Sequence, residues 1–124
     1  MDSATITLIL VLMGLAFVHV IGEILFKKGG MVSFAESEKG LDKKSWKHFL
    51  ISPIVIVSLF ITLAVKGLYG ITLASNPLYL AGGIYLAAIA VFSVLAGRIV
   101  FSEELRNIQL VGFALIAFGI ILLV

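Results

Sequence analysis

Phe49–Gly97 reads FLISPIVIVSLFITLAVKGLYGITLASNPLYLAGGIYLAAIAVFSVLAG, and its only charged residue is Lys66. One membrane helix needs about 20 apolar residues, within a range of roughly 17–25. The run is too long for a single span. Ser75-Asn76-Pro77 divides it, because Asn favours turns and Pro disfavours helix in the residue before it. The reading is two membrane helices in succession. A membrane barrel would instead alternate apolar and polar residues in short strands.

Upstream, Ala4–Phe26 is a further long apolar run, broken only by His19 and Glu23. Lys27-Lys28-Gly29-Gly30 is expected to end it, with charge and helix-breaking glycine. Downstream, Ile108–Val124 carries no charge. Ser102-Glu103-Glu104-Leu105-Arg106-Asn107 links it to the third run, with Ser102 as a cap and the acids at the positive end of the last helix. The predicted fold is an all-α membrane protein of four transmembrane helices, at about residues 4–28, 48–75, 78–100 and 106–124. They form a single four-helix transmembrane domain over residues 1–124, with no soluble domain and no internal repeat.

Composition leads to the same solvent. Of 124 residues, 61% are apolar and 13% charged, with a mean hydropathy of +1.21. A soluble domain has about 45–50% apolar residues with glycine counted, and about 25% charged. A soluble fold of this size buries only part of what its unfolded chain exposes, so it has no place for so much apolar surface. This excludes a soluble enzyme, a disordered chain and a nucleic-acid module. The chain has no cysteine, hence no disulfide framework, thiolate metal site or thiol nucleophile. It has no HExxH, GxSxG or Walker sequence and no paired aspartates, so no enzyme activity, cofactor or metal site is expected. Met1-Asp2-Ser3-Ala4 lacks the basic start of a signal peptide, and the first helix is expected to be retained.

The net charge of +2 and the isoelectric point near 9.0 reflect topology. The first and third links lie on one side, with Lys27, Lys28, Lys39, Lys43, Lys44, Lys47, Arg98 and Arg106. The N-terminus, the Asn76-Pro77 turn and the C-terminus lie on the other side, with no Lys or Arg. The positive-inside rule places both termini on the non-cytoplasmic side of a cell (inner or plasma) membrane, in a multi-pass arrangement. A bias of this kind also argues that every copy inserts the same way. Trp46 stands where the polar loop meets the second helix, an interface that tryptophan prefers.

A few polar residues remain inside the spans. His19, Glu23 and Lys27 are spaced i, i+4, i+8 on one face of the first helix, and Glu23 precedes Lys27 in the favourable order for an ion pair. A charge near the bilayer centre costs at least about 2.5–3.5 kcal/mol, and such residues usually face a bundle interior or a wet cavity. Glu23 either lines a pathway or simply pairs with Lys27 near the helix end. His19 either lines a cavity or is a neutral histidine bonded to a neighbouring helix. Lys66 either snorkels to the outer surface or is a cavity cation that pairs with Glu23 or holds an anionic headgroup. Among the tyrosines, Tyr79 fits an interface anchor and Tyr85 a cavity position. Gly112 and Gly119, seven apart on the last helix, form a face of small residues that suits either packing within the chain or a dimer interface.

These residues also carry a family resemblance over about the whole length. His19-Val20-Ile21-Gly22-Glu23-Ile24-Leu25-Phe26-Lys27 resembles the E-V-I-G-x-x-L-x-K stretch in helix one of the small multidrug resistance family. That family belongs to the drug/metabolite transporter superfamily. Leu73-Ala74-Ser75-Asn76-Pro77, Phe101-Ser102-Glu103-Glu104-Leu105 and the Gly112–Gly119 spacing are similar to later stretches of the same family, in order. His19 stands where the family has a membrane glutamate that binds protons and cationic drugs in turn. Tyr85 stands at its substrate-stacking tryptophan, and Gly82 at the tyrosine before it. Gly22-Glu23-Ile24-Leu25-Phe26-Lys27 and the basic first loop resemble a second branch, the flippase subunits for aminoarabinose linked to undecaprenyl phosphate. These also lack the glutamate.

The resemblance implies a transporter or flippase subunit that moves an amphiphilic or polyprenyl-phosphate-linked substrate through a cavity at a dimer interface. His19, Glu23, Lys66 and Tyr85 are the expected substrate-binding residues, and Gly112 and Gly119 the expected dimer interface. The expected partners are membrane lipid, the substrate itself, and either a second copy or a paralogue. Two alternatives stay open: a proton-coupled exporter of small molecules or cations, and a non-transporting accessory subunit of a membrane complex.

Overall fold

The computed structural model describes residues 3–34 and 43–123, and among these every element is an α-helix. In order they are α1 (Ser3–Phe34), α2 (Lys43–Ile51), α3 (Pro53–Ser75), α4 (Leu78–Val100) and α5 (Asn107–Leu123). Lys39 and the loop acids Glu36, Glu38 and Asp42 lie outside the described residues, as do Met1, Asp2 and Val124.

The third predicted span, 78–100, coincides with α4. Asn76 and Pro77 are extended, with ψ of 151° and 140°, and the Asn76 side chain donates to the Thr72 carbonyl at 2.9 Å. Proline therefore separates α3 from α4 as its chemistry requires.

The other boundaries depart from the sequence reading. The first helix does not stop at Lys28 but runs on to Phe34. Gly29 and Gly30 are packing residues here and not terminators. A β-carbon at Gly29 would overlap the Val55 side chain, and one at Gly30 would touch the Phe49 ring at 3.8 Å. The second predicted span, 48–75, is two helices. Pro53 has no N–H to donate and pushes Ser52 to an extended φ of −62° and ψ of 129°. The chain leaves α2 there and restarts, with Ile56 N–H donating to the Ser52 carbonyl at 3.0 Å.

Ser102 does not cap the last helix. It has a φ of 52°, in the left-handed region, and turns the chain after α4. Arg106 is the residue at the start of α5. Its N–H donates to the Gln109 side chain at 2.8 Å, and its carbonyl accepts from Gln109 N–H at 2.9 Å. This reciprocal pair satisfies helix-end groups in the manner of a capping box. No acid lies in the first turn of α5.

α1 packs against α2, α3 and α4, and α5 packs only against α4. Contacts between α1 and α3 run in opposite chain directions, Gly22 with Ile61 and Gly29 with Val55. Contacts between α1 and α4 run in the same direction, His19 with Tyr85 and Glu23 with Ser93. The core follows helical spacing: Leu8, Leu12, Leu15 and Ala16 of α1 meet Val65 of α3 and Ala81, Ile84, Tyr85 and Ala88 of α4. α5 adds no buried residue, and its Leu123 reaches over Gly83.

The outer surface is as apolar as the core. Phe60, Leu63, Ile99, Ile108 and Leu122 are each more than 70% exposed. In water such a surface would drive aggregation; in lipid it is already solvated. α1, α3 and α4 are each long and apolar enough to cross a bilayer, and α5, at 17 residues, is a shorter apolar helix.

Candidate functional site

The i, i+4, i+8 face of α1 turns toward α4, and the polar side chains meet there. The Glu23 carboxylate accepts from His19 Nε2 at 3.2 Å and from the Ser93 hydroxyl at 3.0 Å. A carboxylate only accepts, so the proton of a neutral His19 ring belongs on Nε2, and Nδ1 is then an acceptor. Tyr85 supplies the donor, with its hydroxyl 3.2 Å from Nδ1. Tyr85 is 1% exposed and its ring stacks on Tyr69, with centroids 4.2 Å apart. The result is one hydrogen-bonded line, Tyr85–His19–Glu23–Ser93, between two helices that are long enough to span a membrane.

Beside this line a recess of about 180 Å³ opens between α1 and α4. Val20, Ile24 and Ala96 form apolar wall, and Glu23, Ser93 and Lys27 supply polar groups. Glu23 also borders a wider groove of about 380 Å³ on the α3 side of α1, with Thr62 opposite. The Glu23 side chain is half exposed, whereas that of His19 is 13% exposed. The carboxylate thus stands at an opening and the imidazole stands behind it.

Lys27 closes one end of the recess, and its partner differs from the one expected. It pairs with Glu103, beyond α4, and not with Glu23. Its ammonium also lies 4.3 Å from the centroid of the Phe101 ring. Gly97 makes the pairing possible, since any β-carbon there would occupy the place of the Glu103 carboxylate. The Glu103 N–H donates to the Gly97 carbonyl at 3.1 Å, which fixes the turn. Lys27 and Glu103 cancel in charge, so the carboxylate of Glu23 remains the net charge of the recess.

Lys66 does not pair with Glu23 either. It is exposed on α3, and its ammonium lies 5.9 Å from the Tyr69 centroid and 6.0 Å from that of Tyr85. These distances are at the limit of a cation–π contact. Among the described residues no carboxylate pairs with Lys66. Three of the four expected site residues, His19, Glu23 and Tyr85, therefore form one connected group, with Lys66 behind the tyrosine pair. No three His, Asp or Glu side chains converge among the described residues.

No family model, curated protein or solved structure matches this chain.

Gly112 and Gly119 lie apart from the cluster. A β-carbon at either would meet no atom within 4 Å, so there is room beside both glycines. Tyr79 is 72% exposed at the start of α4, as an interface anchor would be. Ser93, Tyr69, Glu103 and Gly97 were not singled out as site residues from the sequence. Ser93 is eight residues from Tyr85 on the same helix face, and Tyr69 is one turn from Lys66; those spacings were the available signals.

Proposed function

We propose that the chain is a membrane transporter subunit of the drug/metabolite transporter type. It moves an amphiphilic or polyprenyl-phosphate-linked substrate through a cavity completed at a dimer interface. The supporting observation is the line Tyr85–His19–Glu23–Ser93 beside an open recess. A carboxylate inside a spanning segment is costly, by at least about 2.5 kcal/mol at the bilayer centre itself, and such residues usually mark a pathway. A half-exposed Glu23 with hydroxyl and imidazole neighbours suits a polar headgroup that passes while an apolar tail stays in lipid.

In this reading α5 is the fourth span and both termini are non-cytoplasmic. An uncharged α5 of 17 residues is at the lower limit of spanning length. The first and third links carry eight Lys and Arg residues and the other side none, which supports the orientation. The room beside Gly112 and Gly119 supports a dimer, because small residues let membrane helices approach closely.

A second reading, cation export, is favoured by one observation. The net charge left in the recess is negative, and a carboxylate there suits a cationic substrate. Flux in proteoliposomes tests both, with a fluorescent polyprenyl phosphate and ethidium as probes. Glu23→Gln and His19→Asn should each abolish movement of the transported probe and leave oligomer size unchanged. The probe that moves decides between the readings, and unchanged flux in both variants would remove the site assignment. The accessory-subunit reading predicts that no probe moves with the unaltered chain and that only the α5 face matters.

A further inference from the structure

We infer that α2, with the adjoining end of α1, is a docking surface for the anionic phospholipid headgroups of the leaflet on its side. This does not depend on the transport reading.

α2 has the sequence KKSWKHFLI, three lysines and no acid. Trp46, Phe49 and Leu50 share one face at i, i+3, i+4. Phe49 is buried, edge-on to Phe26 of α1 with centroids 5.1 Å apart and to Trp46 at 5.9 Å. Leu50 is 58% exposed and Trp46 is 43% exposed. Phe49 thus pins the helix to the bundle, and Trp46 and Leu50 stay partly exposed beside it. Lys47 and His48 are exposed, as is Lys28, two residues before the Gly30 that faces Phe49. Three lysines together with a partly exposed Trp and an exposed Leu on one short helix suit a helix that lies in a membrane interface.

The position of the charge narrows the partner to an anion. Lys43 and Lys44 occupy the first turn of α2, where the helix dipole is positive and cations are disfavoured. The three lysines of α2, with no acid among its residues, favour an anionic partner. The break at Ser52-Pro53 makes α2 a helix separate from α3. A zwitterionic headgroup offers no net charge to this end, whereas an anionic headgroup presents a phosphate without the compensating ammonium. Each lysine near an anionic surface contributes about a fivefold preference.

Trp46 is the only tryptophan in the chain, so its fluorescence reports on α2 alone. The full-length protein is reconstituted in vesicles with brominated phosphatidylglycerol or brominated phosphatidylcholine as the quencher, at equal mole fraction. The expected result is stronger quenching by phosphatidylglycerol, weakened by high salt and not displaced by millimolar inorganic phosphate. The Lys44→Gln/Lys47→Gln variant should lose about fivefold in preference per lysine, and the Lys44→Arg/Lys47→Arg variant should keep it. Arginine retention separates loss of charge from loss of the helix. Equal quenching by the two lipids, no quenching by either, a preference that survives the glutamine pair, or displacement by free phosphate would each overturn the inference.

Discussion

Tyr85 donates its hydroxyl hydrogen to Nδ1 of His19 across 3.2 Å, in the tautomer that Glu23, accepting from Nε2, requires. A buried ring on α4 thereby orients a polar group on α1. The stack with Tyr69 holds the ring, and the hydroxyl aims the imidazole.

The two contributions separate by substitution. Tyr85→Phe keeps the ring stack and removes one hydrogen bond, for a loss of about 0.5–1.5 kcal/mol. Tyr85→Ala also empties a packed site, for a loss of about 3–5 kcal/mol. Thermal unfolding in detergent measures both. A Phe variant as unstable as the Ala variant would contradict an orienting role for the hydroxyl.

The Lys27–Glu103 pair closes an end of the recess without holding the fold together. Both side chains are about half exposed, at 47% and 50%, so the pair contributes only about 0–1 kcal/mol. Glu103→Gln should leave the melting temperature nearly unchanged. In the otherwise cysteine-free chain, a Ser93→Cys probe should then react faster with a charged thiol reagent. Equal rates with and without Glu103→Gln would show that the pair is no barrier.

Gly29 is a contact point between α1 and α3. Gly29→Ala overlaps Val55 and should destabilise by about 1–3 kcal/mol. Val55→Ala in the same chain should recover part of that loss, a coupling that a double-mutant cycle measures directly. Purely additive losses would place the cost elsewhere.

Gly112→Leu and Gly119→Leu add bulk where a β-carbon alone would meet no atom of the same chain. Native mass spectrometry should show a dimer reduced to monomer. A dimer that survives both substitutions excludes this face as the contact.

Orientation is open to the same cysteine strategy. Asn76→Cys and Ser102→Cys lie beyond opposite ends of α4. An impermeant maleimide should label Asn76→Cys from outside intact cells and Ser102→Cys only after the membrane is opened. The reverse pattern would invert the topology.

Much of this was legible in the sequence, and the failures have a common cause. Proline chemistry marked both ends of the α3–α4 connection, so the third span came out at residues 78–100. Helical spacing placed His19, Glu23 and Lys27 on one face, because that rule is local. The partner of Lys27 was not legible, since Glu103 is 76 positions away and nothing near Lys27 encodes it. Gly29-Gly30 reads equally well as a stop or as a close approach, and only Val55 and Phe49 across the bundle distinguish them. Ser52-Pro53 lay inside an apolar run, and hydropathy hid the break that its backbone chemistry requires. Trp46 marked the interface, but the helix around it went unread.

The lengths of α1 and α5, 32 and 17 residues, have a mechanical consequence. At 1.5 Å per residue α5 is about 26 Å long, against about 30 Å of hydrocarbon. With α5 as a span, the lipid beside it has to thin by several ångströms, while the flank along α1 needs no such pinching. This hydrophobic mismatch costs fractions of a kcal/mol per Å along the strip of α5 that lipid touches. In the proposed dimer, two copies joined through their α5 helices would withdraw that strip from lipid and relieve the pinch. Bilayer thickness would then act on assembly, with thick membranes pressing the copies together and thin ones letting them part.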